Sequence, residues 1–322
     1  MNFESADLAI CITCGTQYDA PLSSPPKSCR ICDDPRQYVP PQGQSWTSLR
    51  LASLSQRNTL TASPTNPHLT YITTTTSPSA SSNPLHPSFP PTKTLGIGER
   101  AILIQTPHGN ILWDLIAFLD EPTIDFIRKK GGLKAIVISH PHFWSTHLEW
   151  ARVFACPVYL NKRDEQWLCR EDRYGVRRMV ESETVEIVPG VTAIRVGGHF
   201  DGSMVLHWKE EEGADGKEEG EGILFHADSI MVVPSAYYHA DRLPGTTSYS
   251  FMWSYPNMIP LAPDQIHGIW KSLKPFHFTT TYGGFMGQDN RRPDLKAHIL
   301  ESMKIFVRTA GHGDVAILQE TL

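Results

Sequence analysis

The chain reads Ser139-His140-Pro141-His142-Phe143-Trp144-Ser145-Thr146-His147 directly after the apolar run Ala135–Ile138. That run predicts a buried strand, so the histidines stand where the strand ends. His140 and His142 are one residue apart and therefore project to the same side of an extended chain. Imidazole nitrogen is a favoured zinc ligand, and a catalytic zinc generally has three protein ligands and one open position. The pattern predicts that His140 and His142 share one metal ion.

Two further motifs follow at the ends of predicted strands. Gly197-Gly198-His199-Phe200-Asp201-Gly202-Ser203 comes after a predicted hairpin whose turn is Pro189-Gly190, and it offers His199 as a third ligand. His226-Ala227-Asp228 comes after the predicted strand pair of Met204–Trp208 and Gly222–Phe225. The rest of the pattern, with the hairpin Ala101–Asp114 and helices near Ile124 and Pro263, alternates strands and helices. We therefore expect an α+β fold with sheets covered by helices.

The order of these motifs resembles the metallo-β-lactamase superfamily over roughly Leu95 to Phe285. The resemblance implies an αββα sandwich with the motifs on loops at one rim. It also implies that Asp114 supports the ligand loop, and that Asp228 bridges or completes the metal centre. The metal ligands implied by the resemblance are His140, His142, His199 and Asp228. His226 has a plainer interpretation as an ordinary half-buried histidine, which we favour.

This chain departs from the family pattern at the second metal site. Trp144 and Ser145 stand where the family usually has Asp and His, and Thr279–Phe285 lacks the late family histidine. His147 is a candidate replacement ligand, although a histidine in the first turn of a helix is an equal alternative. Thr146 and Glu149 have the spacing of a capping box, which predicts a helix that begins near His147. We expect one zinc at the histidine site, or an asymmetric pair with a weak second ion.

A zinc ion lowers the pKa of bound water from about 16 to about 7, which provides hydroxide at neutral pH. The sequence therefore predicts a zinc-dependent hydrolase that uses a metal-bound hydroxide on a small ester, thioester, lactone or amide. Asp228 is expected to orient the hydroxide, and Tyr282 to stabilise the oxyanion, with simple packing as the alternative for Tyr282. The alternative function is a catalytically weak or inactive metal-binding scaffold that binds a partner.

Four cysteines near the N-terminus form two Cys-x-x-Cys pairs separated by fourteen residues, a spacing typical of one tetrahedral zinc site. The cysteines are Cys11, Cys14, Cys29 and Cys32. We expect a rubredoxin-like or zinc-ribbon knuckle with a structural zinc, and iron is the alternative metal. The predicted domains are a knuckle at 1–40 and a metallo-β-lactamase-like domain at 41–322. Two flexible loops are predicted within the second domain, at 78–93 and 209–221.

Composition restricts the class of partner. The formal net charge of -5 argues against broad binding of nucleic acid, and a small-molecule substrate is expected instead. Glu4 and Asp7 precede the first apolar run, which is the wrong order for a basic secretory leader. No stretch approaches the roughly 18 uninterrupted apolar residues that span a bilayer. We expect a cytoplasmic protein without membrane contact, and the oligomeric state stays open.

Overall fold

The computed structural model describes residues 5–76, 94–210, 222–236 and 249–322. The predicted loop 78–93 lies outside the described residues, as does the predicted loop 209–221 apart from its first two positions. The chain divides into two compact units, here called the N-terminal unit (1–160 and 166–178) and the C-terminal unit (161–165 and 179–322). The four-cysteine knuckle belongs to the N-terminal unit. Its independent folding as a domain at 1–40 stays a prediction.

Within the described ranges, the N-terminal unit contains a small sheet ordered β2-β1-β3 and a larger mixed sheet ordered β10-β9-β8-β7-β6-β5-β4. Its elements are β1 (Leu8–Cys11), β2 (Gln17–Pro21), β3 (Trp46–Thr47), α1 (Leu49–Ala52), β4 (Gln56–Ala62), β5 (Leu69–Thr76), β6 (Arg100–Thr106), β7 (Gly109–Trp113), α2 (Glu121–Lys129), β8 (Ala135–Val137), α3 (His147–Phe154), β9 (Val158–Asn161) and β10 (Arg177–Val180).

The first predicted hairpin is confirmed. Strands β6 and β7 pair antiparallel with Thr106 opposite Gly109, so the loop between them is the two residues Pro107 and His108. The Thr106 hydroxyl donates to the Gly109 carbonyl and accepts from the His108 amide, which closes the turn. Strand β8 lies parallel to β7, and this register brings the end of β8 beside the end of β7. His140 follows three residues after β8.

Helices α2 and α3 differ from their predictions, α2 in its first residue and α3 in its cap. Helix α2 begins at Glu121 rather than near Ile124, because the Asp120 carboxylate accepts the Thr123 amide and caps the helix. Helix α3 begins at His147 as predicted, but the predicted capping box is wrong. The Thr146 hydroxyl donates instead to the carbonyl oxygen of Ala117, 2.8 Å away. A tertiary contact has thus replaced the local cap.

Six of the strands described for the C-terminal unit form a mixed sheet ordered β11-β12-β13-β14-β19-β20, and the other four form two two-stranded sheets, β15-β16 and β17-β18. The unit also contains helices α4 and α5. Its elements are β11 (Thr184–Val188), β12 (Val191–Arg195), β13 (Met204–Lys209), β14 (Gly222–Phe225), β15 (Met231–Val232), β16 (Tyr249–Ser250), β17 (Met252–Ser254), β18 (Ile259–Pro260), α4 (Pro263–Leu273), β19 (Thr280–Tyr282), β20 (Asp289–Arg291) and α5 (Leu295–Thr309).

Helix α4 covers this sheet with the predicted apolar face. Ile266, Ile269, Trp270 and Leu273 recur with helical periodicity and all are buried in one cluster with residues of β12, β13 and β14. The predicted pairs β11–β12 and β13–β14 are antiparallel, as expected. The α+β class is therefore confirmed. Among the described residues, no helix is both long enough and apolar enough to cross a bilayer.

Candidate metal sites

The four cysteines of the knuckle lie together in the structure. Cys11 Sγ is 3.6 Å from Cys32 Sγ, and Cys14 Sγ is 3.5 Å from Cys29 Sγ. All four sulfurs lie within 4.8 Å of one another and all four residues are buried. A tetrahedral zinc with bonds of about 2.3 Å requires sulfurs roughly 3.8 Å apart. The arrangement fits a single four-thiolate metal site.

Polar neighbours support this sulfur cluster. The Tyr18 hydroxyl donates to Cys29 Sγ at 3.3 Å, and Gln44 Nε2 donates to Cys11 Sγ at 3.2 Å. Burial raises the pKa of the Cys14 thiol well above its ordinary value. Four thiolates can coexist in such a place only when a cation neutralises them, which agrees with the donor set.

The His-x-His pair is held by a chain of hydrogen bonds that begins at Asp114. Asp114 follows β7 with a left-handed backbone (φ 55°), and its Oδ1 accepts the Ser139 amide at 2.7 Å. The Ser139 hydroxyl lies 2.8 Å from His140 Nδ1. The His140 and His142 rings are buried with centroids 5.0 Å apart. The support of the ligand loop by Asp114, implied by the resemblance, is confirmed.

The second pair of candidate ligands, His199 and Asp228, lies in the C-terminal unit. His199 Nε2 is 3.6 Å from Asp228 Oδ2, and both side chains are buried. His199 Nδ1 lies 3.3 Å from the Met252 carbonyl oxygen. A carbonyl oxygen only accepts, so this contact places the proton on Nδ1 and leaves Nε2 as the ligand atom. Such orientation of a ligating histidine by a carbonyl is usual in metal sites.

Ser229 connects the two loops that carry this pair. Its hydroxyl donates to the Gly197 carbonyl at 2.6 Å and accepts the His199 amide at 3.4 Å. Gly198 has a φ of 84°, and a Cβ there would lie 3.0 Å from Ile269 of α4. The loop therefore needs glycine both for its conformation and for its close approach to the helix.

His140 and His142 offer two imidazole nitrogens in the N-terminal unit, and His199 and Asp228 offer an imidazole nitrogen and a carboxylate oxygen in the C-terminal unit. Each of these residues is buried. Three imidazole nitrogens and one carboxylate oxygen are a donor set suited to zinc. Each pair of residues therefore has the donor chemistry of a metal site.

His147 has other partners than the predicted metal ion. Its Nδ1 lies 2.7 Å from the Trp144 carbonyl oxygen, and its Nε2 accepts from Arg177 Nε at 2.9 Å. Both ring nitrogens of His147 are thus engaged. Burial, together with the charge of Arg177, lowers the pKa of His147 to about 3. His147 is therefore a neutral residue that forms hydrogen bonds in the structure, and not the replacement ligand that was predicted.

Trp144 and Ser145 occupy the positions where the family usually has Asp and His. Trp144 is buried, and its Nε1 has no hydrogen-bond partner in the part of the chain that the structure describes. Ser145 is also buried and has a φ of 34°, in the left-handed region that non-glycine residues rarely adopt. An indole and a hydroxyl replace a carboxylate and an imidazole, which removes the usual donors for a second ion.

Three further residues lie near the motifs in the sequence or in the structure. Tyr282 is buried on β19 and its ring stacks on Phe225 with centroids 5.5 Å apart, so its role as an oxyanion donor stays a prediction. His226 is fully buried rather than half-buried. Sequence reasoning assigned no role to Tyr255, whose hydroxyl donates to the Asp228 carbonyl at 2.9 Å and whose ring lies 6.0 Å from that of His199.

Comparisons with known proteins gave one sequence relative and several distant structures. No family model matches the chain. The uncharacterized protein YmaE of Bacillus subtilis (strain 168) is 38% identical over 278 residues, which cover 86% of this chain and 88% of YmaE. The structure of the metallo-β-lactamase DIM-1 covers 79% of this chain and 99% of its own, with 13% identity and a TM-score of 0.49. The metallo-β-lactamase SMB-1 covers 66% and 89%, with 14% identity and a TM-score of 0.44.

The arrangement within each unit agrees with the predicted metallo-β-lactamase-type fold. The His-x-His motif follows β8 of one mixed sheet, and the motifs of His199 and Asp228 follow β12 and β14 of the other. This is the order of motifs that the sequence showed, now with each motif at a strand end. The four-cysteine cluster near the N-terminus precedes them.

Proposed function

The chain belongs to the family of the Bacillus subtilis protein YmaE, and we propose that it is a hydrolase that holds one zinc at its histidine site and acts on a small ester, thioester, lactone or amide. A second zinc, in the four-cysteine knuckle, has a structural role. The observation that carries this function is the pair of buried ligand motifs, His140 with His142 in the N-terminal unit and His199 with Asp228 in the C-terminal unit, which we propose share one ion.

One zinc rather than two follows from the residues that replace the usual ligands. His147 supplies no donor toward a second ion, because Trp144 and Arg177 engage its two ring nitrogens. The indole of Trp144 and the hydroxyl of Ser145 stand in place of the usual carboxylate and imidazole. A single bound zinc supplies an acidic water and polarises a carbonyl oxygen. Neutral imidazoles and one carboxylate leave a net positive charge at such a centre, which suits a reaction that develops negative charge on oxygen.

The chain's own residues orient this centre. Asp114 and Ser139 fix the ring of His140, and the Met252 carbonyl fixes that of His199. We propose that the three histidines hold the ion and leave its fourth position open to water, and that the Asp228 carboxylate accepts a proton or a hydrogen bond there as the base for hydrolysis. Small neutral or acyl substrates fit this chemistry better than nucleic acid, given the net charge of -5.

Metal analysis tests the stoichiometry. We expect about two zinc equivalents for the intact chain and about one for the His140→Ala, His142→Ala double variant. A matched double variant at exposed histidines, His108→Ala with His312→Ala, should keep both ions. Retention of all metal by the first double variant rejects the histidine site. A red colour in the oxidised protein would identify iron in the knuckle instead of zinc.

Activity is tested on the fully loaded protein with a panel of esters, thioesters, lactones and amides. We expect turnover of at least one class, reduced more than a hundredfold in the histidine double variant and unchanged in the matched control. Full zinc occupancy without turnover of any panel member would favour the alternative function, a metal-binding scaffold.

A further inference from the structure

The turn that follows Cys14 lies directly against the loop that carries His140 and His142. Gly15 has a φ of 75°, and a Cβ built on it would lie 2.6 Å from Ala117 Cβ and 3.7 Å from Ser145 Cβ. The next strand of the knuckle continues the contact, because the Gln17 amide donates to the Ser145 carbonyl at 3.3 Å. Ser145 is three residues after His142.

Ser145 is the strained point of that loop. Its φ of 34° is unfavourable for a residue with a Cβ, and such a conformation persists only where the surroundings hold it in place. The Thr146 hydroxyl holds it on one side through the Ala117 carbonyl. The amide of Gln17 holds it on the other side. The histidine loop therefore depends on contacts that the knuckle supplies.

Arg170 adds a second connection between the knuckle and the helix that follows the loop. Its Nη1 donates to Gln17 Oε1 at 2.5 Å and to Glu149 Oε1 at 2.9 Å, and its Nε donates to Asp19 at 3.0 Å. Gln17 and Asp19 lie on β2, whereas Glu149 lies on α3. The Glu149 side chain is only 4% exposed and that of Arg170 is 12% exposed, so this ion pair is not a surface contact.

The position of the Gly15–Gln17 turn depends on the cysteines. The Gly15 amide donates to the Cys11 carbonyl at 2.8 Å, and the Cys11 amide donates to the Thr16 carbonyl at 2.9 Å. The cluster packed around the sulfurs is small: besides the cysteines, Ile31 is its one buried apolar member among the described residues. A segment of this kind is ordered mainly by its metal.

We propose that the four-cysteine metal site positions the His140–His142 loop through Gly15, Gln17 and Arg170, so that binding at the two metal sites is coupled. This rests on the proposed metal centre. Emptying the knuckle releases the turn from Ser145, and the histidine ligands lose their preorganised geometry. Coupling of this kind is reciprocal, so metal at the histidine site also strengthens metal binding at the knuckle.

Cobalt distinguishes the two sites, because thiolate ligation gives an intense charge-transfer band that imidazole ligation lacks. Gly15→Ala is the test variant and Gly43→Ala is its control. Both glycines have positive φ, 75° and 88°, but nothing lies within 4 Å of a Cβ at Gly43. We expect Gly15→Ala to keep the thiolate band and to weaken cobalt binding at the histidine site tenfold or more. Gly43→Ala should bind cobalt at both sites like the unmodified protein.

Equal affinities of the histidine site in Gly15→Ala and Gly43→Ala would overturn the coupling. If Gly15→Ala loses the thiolate band, the decision passes to Arg170→Met, which removes the hydrogen bonds to Gln17, Asp19 and Glu149. The exposed Arg173→Met is its control. Weaker binding at the histidine site in Arg170→Met alone supports the coupling, and equal affinity in the two arginine variants rejects it. A histidine site that binds no cobalt in the unmodified protein would reject the proposed function and this inference together.

Discussion

Asp114 shows how one residue fixes the geometry of a ligand several positions away. A left-handed residue after β7 turns the chain sharply, and the same side chain accepts the amide of Ser139, which lies two residues after the neighbouring strand β8. The sequence indicated this function only through resemblance, because Asp at the end of a strand is also an ordinary turn residue. Its φ and its hydrogen bond could not be inferred from spacing.

We expect Asp114→Ala to weaken metal binding at the histidine site by 10- to 100-fold, the usual effect of losing a residue that supports ligands. Asp114→Asn should lower the metal affinity much less. Asparagine tolerates the left-handed conformation, and its side-chain carbonyl oxygen can still accept the Ser139 amide. Competition with a chromophoric chelator measures the affinity. Equal losses in the two variants would contradict the assigned hydrogen bond.

The lowered pKa of His147 predicts that the free energy of unfolding decreases as the pH falls. Its pKa is about 3 in the folded protein, below the ordinary value of 6.5, so between these values the unfolded chain binds a proton that the folded chain does not. The free energy of unfolding therefore falls as pH drops from about 6.5 toward 3, by at most about 1.4 kcal/mol per pH unit from this residue. We expect His147→Gln, measured by urea unfolding from pH 7 to pH 4, to show a shallower decline.

The matched control for that measurement is His312→Gln, because His312 is exposed. It should keep the full pH dependence, including any contribution from loss of metal. If the free energy of unfolding of His147→Gln depends on pH as that of the control does, His147 has the same pKa in the folded and the unfolded chain.

At the level of elements, local sequence patterns predicted the hairpins correctly, whereas contacts between residues far apart in the sequence were not predicted. The hairpins β6–β7 and β11–β12 followed from apolar runs on either side of a turn. The capping box at Thr146 was wrong because its hydroxyl bonds to Ala117, 29 residues away. Strands β4 and β5 were not predicted at all, since their partly exposed faces and threonine-rich sequences lack a strong apolar pattern.

The hairpin of β17 and β18 carries a supporting contact for the metal centre. Its Met252 carbonyl orients His199, and Tyr255 in its loop donates to the Asp228 carbonyl. Tyr255→Phe should lower the free energy of unfolding by about 1 kcal/mol and weaken metal binding at the histidine site about fivefold. Tyr38→Phe, at an exposed tyrosine, is the control. Unchanged metal affinity in Tyr255→Phe would mean that the hairpin does not support the ligands.

Across the whole molecule, the two metal sites should contribute unequally to stability. The proposed four-thiolate metal ion would order a segment that has little core of its own, whereas the histidine motifs follow strands of large, well-buried sheets. We expect Cys14→Ser to lower the thermal unfolding midpoint by more than about 10 °C, and His142→Ala to lower it less. Cys156→Ser, at a buried cysteine outside the cluster, provides the control. A larger effect of His142→Ala would contradict this order.

The overall charge gives a separate expectation for partners. With a net charge of -5, any binding to RNA or DNA should be weak at physiological salt. Filter binding between about 50 and 200 mM salt measures it, since contacts with phosphates make affinity fall steeply over that range. Tight binding with such a steep dependence would revive nucleic acid as a substrate.

The bond between Gln17 and Arg170 joins residues 153 positions apart, and this separation has a consequence for biosynthesis. At roughly 5 to 20 residues per second, a ribosome needs about 8 to 30 s to deliver the arginine after the glutamine has been made. During that interval the nascent knuckle lacks the hydrogen bonds of Arg170, and bound metal alone is expected to order its four cysteines. Chains made without metal should therefore have N-terminal cysteines that thiol reagents modify faster.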